Sequence, residues 1–126
     1  MSNVKIPEIS EEHREWLNAL GFYKEEIHVL ERRLTEVASR NTSFEARQGI
    51  EHFQNQFVVQ KNNIDELRHR IHEHLDAMIN YAAKHKWNVV DWQEGRHEAL
   101  KTEFQSLEKV VNELRSEFNG FLSKWL

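Results

Sequence analysis

The sequence predicts an all-α protein: an elongated antiparallel three-helix bundle, running up, down and up again, with coiled-coil-like heptad packing. Composition is the first support. The 126 residues hold 4 glycines and 1 proline, with 30% charged and 39% hydrophobic side chains, which fits neither a turn-rich β protein nor a disordered chain. Second, the signals that stop and restart helices cluster at two internal places only. Third, between those places the apolar residues recur by alternating steps of four and three, the spacing that lays them along one stripe of a helix. A single domain over residues 1–126 follows from this length.

The first helix is expected over about 10–40. Pro7 and Ser10 precede its periodic run, and Glu11 and Glu12 then fall in the first turn, where carboxylates favour the positive end of the helix dipole. Its stripe is Ile9, His13, Trp16, Leu20, Tyr23, Ile27, Leu30, Leu34 and Val37. In the stretch ASRNTSFEA that follows, Asn41 suits a left-handed position after the helix, and Thr42 with Glu45 has the spacing of a capping box. The second helix is expected over about 43–85, with a stripe from Ala46 through Ile50, Phe53, Phe57, Gln60, Ile64, Leu67, Ile71 and His74 to Met78. Asn88 or Asp91 can cap the third helix, and Asp91 with Glu94 repeats the capping-box spacing. That helix is expected over about 90–126, its stripe running from His97 and Leu100 through Phe104, Leu107, Val111, Leu114, Phe118 and Phe121 to Trp125.

Folding the chain back at both turns aligns these stripes rung by rung. From one end the expected layers include Leu34/Ile50/Trp125, Tyr23/Gln60/Leu114, Trp16/Leu67/Leu107, His13/Ile71/Phe104, Ile9/His74/Leu100 and Met78/His97. Agreement between local caps and long-range pattern is what a well-specified fold shows. The segment HREWLNAL at 13–20 resembles the tryptophan-bearing start of the first helix of a spectrin repeat, and the layout is spectrin-like as well. That resemblance implies the same three-helix arrangement.

Several function classes are excluded by what the chain lacks. Without cysteine there is no disulfide, thiolate nucleophile or cysteine-ligated metal. The opening MSNVKIPEIS has no apolar core of a signal peptide, and nowhere do 18 apolar residues run together, so a cytoplasmic protein with no membrane partner is expected. A net charge of −4, with 17 basic residues dispersed among 21 acidic ones, gives no footprint for a phosphate backbone, so no nucleic-acid partner is expected. Gly21, Gly49, Gly95 and Gly120 stand singly inside helices and form no phosphate loop. The leading expectation is a non-enzymatic bundle acting through a protein partner or a homo-oligomer. Off the stripes, Phe22, Val29, Val58, Val59 and Val110 are apolar residues that three helices need not bury, and they are the candidate interaction surface.

The alternative is a metal site. Residues 65–75, DELRHRIHEHL, hold His69, His72 and His74, yet helical geometry puts only His74 on the stripe. His13, His74 and His97 instead come from three helices and fall in neighbouring layers at one end. With Glu94 one turn from His97, they form a sensible ligand set for zinc or iron. Packing is the default role of a stripe position, and His13 and His97 are expected two layers apart, which strains a shared coordination sphere. No cofactor is therefore expected unless that alternative holds. Glu25–His28, Glu66–His69 and Glu94–His97 match the Glu-x-x-His pairs of di-iron bundles, but such bundles use four helices and the first two pairs lie on solvated faces. The Tyr23/Gln60 layer is expected to join a phenol to an amide and to set register.

Overall fold

The computed structural model describes residues 6–85 and 94–126, with side chains over 8–85 and 95–126. Three helices account for them: α1 (Ile6–Arg40), α2 (Phe44–Lys84) and α3 (Glu94–Trp125), packed on one another as an all-α three-helix bundle. With 41 residues, α2 is roughly 60 Å long at the α-helical rise.

Helix α1 starts ahead of its expected boundary. Proline is tolerated in a first turn, where no intrahelical N–H bond is required, so Pro7 lies inside the helix, Glu8 is its acidic first-turn residue, and Ser10 is not a cap. At the other end the Asn41 amide donates to the carbonyl of Val37 and to that of Trp125, each at 2.9 Å. One side chain thus stops α1 and ties it to the last turn of α3. The cap of α2 is Ser43, not Thr42: its backbone is extended, and its hydroxyl accepts from the Ala46 N–H at 3.2 Å. Glu45, freed from the expected box, pairs with Lys124 of α3. Helix α3 is described from Glu94 onward, and the start expected near residue 90 and the caps anticipated at Asn88 and Asp91 lie outside the described residues.

Ion pairs set the order of contacts. Lys24 meets Asp65 at 2.8 Å and Lys61 meets Glu31 at 2.9 Å, so positions ascend in α1 as they descend in α2. Arg70 with Glu103 and Glu45 with Lys124 show the same reversal between α2 and α3. Glu26 binds Arg115, and Tyr23 donates to Glu108 at 2.5 Å, so contacts ascend together in α1 and α3.

The heptad stripes are the buried residues, with two corrections. Phe121 and Trp125 are only half-buried while Leu122 is inside. A straight helix drifts against a seven-residue repeat, so the stripe of α3 advances by one position in its final turns. The Phe121 ring then lies over Gly49, where a Cβ would overlap it. Tyr23 is also half-buried and reaches Glu108, not Gln60, whose carbonyl accepts from Asn63 at 3.4 Å. Glu108 lies beside the phenol on α3, and a carboxylate is the stronger acceptor.

Among the described residues the core falls into two clusters. A large cluster, centred on the fully buried Phe57 and Phe118, runs from Trp16 to Leu122. A small one holds Ile9, Met78 and Ala82 at the far end.

Candidate metal centre

Three imidazoles occupy the zone between the two clusters. His13, His74 and His97 are 0%, 3% and 4% exposed, although histidine is ordinarily a half-exposed residue. The rest of the 65–75 trio behaves as helical geometry requires: His72 is at the surface and His69 pairs there with Glu73.

Ring centroids are 5.1 Å apart for His13 and His74, 5.3 Å for His13 and His97, and 5.9 Å for His74 and His97. The two-layer separation expected between His13 and His97 does not occur. Side chains on a helix lean toward its N-terminus, so His13 on α1 and His74 on α2 lean toward each other across a nominal layer step. Against α3, helix α1 is also displaced from the fold-back count. Trp16 stacks between His97 (5.0 Å) and Phe104 (6.0 Å), where the count put it beside Leu107.

Hydrogen bonding fixes proton positions. The Ile9 carbonyl can only accept, so the 2.6 Å contact to His13 Nδ1 is an Nδ1–H donation. A neutral His13 then offers its Nε2 lone pair, 2.9 Å from His74 Nδ1, which donates. Both rings are held neutral: burial pushes the pKa of His13 down, and burial followed by the charges of His13, His97 and Arg96 pushes that of His74 down to about 4. His97 differs, because both of its ring nitrogens are buried without a hydrogen-bond partner. Among the described residues the Glu12 carboxylate approaches it to 3.5 Å from Nε2, too far for a hydrogen bond.

The donor set suits a transition metal. One ligand nitrogen from each ring lies within 4.8 Å of the others. Around a tetrahedral zinc with bonds of about 2.0–2.1 Å, neighbouring nitrogens sit roughly 3.3 Å apart. The three nitrogens are thus within about 1.5 Å of the spacing that one zinc requires. The Nδ1–H donation from His13 to a backbone carbonyl is the outer-shell contact that orients a metal-bound imidazole. A surface groove of about 450 Å³ between α2 and α3, open beside Ala77 and Ala99, has His74 in its lining.

Of the residues anticipated from the sequence, the three histidines are brought together, and the side chain of Glu94 lies outside the described residues. Glu12 was assigned to the helix dipole alone. Its position next to His13, on the flank of the stripe, was the available signal. Phe22, Val29, Val58, Val59 and Val110 are exposed, as are Phe44, Ile79 and Leu126, which the heptad pattern did not single out. Among the described residues no helix is long and apolar enough to cross a membrane. No protein-family model, curated protein or solved structure matches the chain.

Proposed function

We propose that the protein is a non-enzymatic, cytoplasmic three-helix bundle that binds one divalent transition-metal ion, zinc foremost, through His13, His74 and His97. The supporting observation is the convergence of one buried imidazole from each helix, with His97 lacking any hydrogen-bond partner. A bundle that needed only to fill this layer would do so with leucine, since an orphaned buried polar atom costs about 1–3 kcal/mol. One ion replaces those unsatisfied lone pairs and ties all three helices together. Cysteine-free nitrogen and oxygen donors suit zinc, with iron the next choice. Elemental analysis of the purified protein tests this. Near one equivalent of zinc or iron, lost in His74→Ala, is expected; metal-free protein that also fails to take up added zinc would refute it.

The exposed apolar residues favour a second role for the same bundle, contact with a protein partner or a second copy. Phe22, 62% exposed, and Val29 lie one heptad apart on α1. A change of Phe22 to Ser should abolish self-association in sedimentation measurements if that surface is used; an unchanged oligomeric state would exclude homo-oligomerisation through it.

A further inference from the structure

Three imidazoles leave a tetrahedral zinc one ligand short, and whatever fills the fourth position determines whether the ion is sealed in or open to substrate. We infer that the Glu12 carboxylate is that fourth ligand, giving a closed three-histidine, one-glutamate zinc site. This rests on the metal-binding role proposed above and goes beyond it in the residue named and in the character of the site.

Geometry supports the assignment from two sides. Glu12 Oε2 lies 3.5 Å from His97 Nε2, close to the roughly 3.3 Å expected between two donors on one zinc. Glu12 also directly precedes His13, so one turn of α1 brings both an imidazole and a carboxylate to the cluster. His97 is 4% exposed and has no hydrogen-bond partner for either nitrogen, so both remain open to a ligand. Charge points the same way. Three neutral imidazoles leave a buried dication with its full charge, and burying unpaired charge is costly; one carboxylate halves the net charge. The other carboxylates near the groove are committed elsewhere or face solvent: Glu103 binds Arg70 at 2.7 Å, and Glu73 pairs with His69 at the surface. Glu12 is itself half-buried, its side chain 39% exposed, and among the described residues its carboxylate has no charged partner competing with the His97 ring. A site closed in this way holds its ion as a structural staple with no vacant position for a substrate.

The test titrates cobalt(II), as a coloured stand-in, and zinc into chelator-treated protein. Wild type, Glu12→Gln, Glu12→His and Glu94→Gln are compared, with circular dichroism confirming that each is helical. Glu12→Gln should weaken zinc binding by about 10–100-fold and lower the visible cobalt absorption that marks four-coordination. Glu12→His, which restores a fourth donor, should recover both, a rescue that a merely structural role for the carboxylate would not give. Glu94→Gln should match wild type. Wild-type affinity and spectrum in Glu12→Gln would overturn the inference while leaving the three-histidine site intact, and so would loss confined to Glu94→Gln. If the wild-type protein binds neither ion, the metal-binding role falls and this inference with it.

Discussion

At the scale of single residues, buried histidine makes stability depend on pH in a direction that can be worked out. His74 is held neutral, with a folded pKa of about 4 against about 6.5 when unfolded. The unfolded chain therefore takes up the proton first. Stability from this group is complete above pH 6.5, falls as pH drops toward 4, and is then fully lost. For the metal-free protein that loss is on the order of 3 kcal/mol, and His13, shifted the same way, adds to it. Urea unfolding across this range is the measurement. His74→Leu should flatten the profile, and a wild-type midpoint that stays level from pH 7 to pH 5 would contradict the neutral, buried state. The three histidines were legible in the sequence because each interrupts an apolar stripe of period 3.5. Glu12 was not, because a flanking position faces a neighbour or solvent according to how the helices rotate against one another, which one chain's pattern does not encode. Tyr23 failed similarly: a long side chain at a half-buried position chose Glu108 over Gln60.

At the scale of the helices, the glycines separate propensity from packing. Nothing lies within 4 Å of a Cβ added at Gly21 or Gly120, so alanine there should gain about 0.5–1 kcal/mol from helix propensity alone. Gly49→Ala brings the same gain but collides with Phe121, and overpacking typically costs about 1–3 kcal/mol, so it should destabilise. Thermal melts of the three variants decide; a stabilised Gly49→Ala would mean that the Phe121 ring moves aside freely. The aromatic packing beneath carries more weight. Phe57 and Phe118 are fully buried at 5.1 Å between centroids, and Phe57→Ala should cost about 3–5 kcal/mol. Helix existence and buried faces were legible because a period repeated over ten turns averages out local exceptions. Termini were not: Thr42 and Ser43 are both competent caps one residue apart, and Asn41 reaches across to Trp125, a contact with no local signature.

For the whole molecule, a ligand that binds only the folded chain raises its stability by mass action, by about 2.7 kcal/mol when free metal is 100 times Kd. In a protein of this size that is a rise of roughly 10 °C in Tm, which calorimetry with zinc and with chelator would register. Equal melting temperatures under both conditions would show that no ion contributes. The three-helix bundle was legible because the stripes of all three segments match in length and period. The displacement of α1 was not, since it depends on how side chains lean and pack across the helices, which a seven-residue pattern does not encode. The divided core has a consequence of its own. Among the described residues Ile9, Met78 and Ala82 form a small apolar cluster separate from the main one, next to the imidazole layer. Stripped of its ion, that tip should breathe as a separate unit: its amides near residues 78–82 would exchange with deuterium, and nearby peptide bonds yield to protease, long before the phenylalanine-packed body opens. The protein would then be a rod with one latch, loosening from a single end.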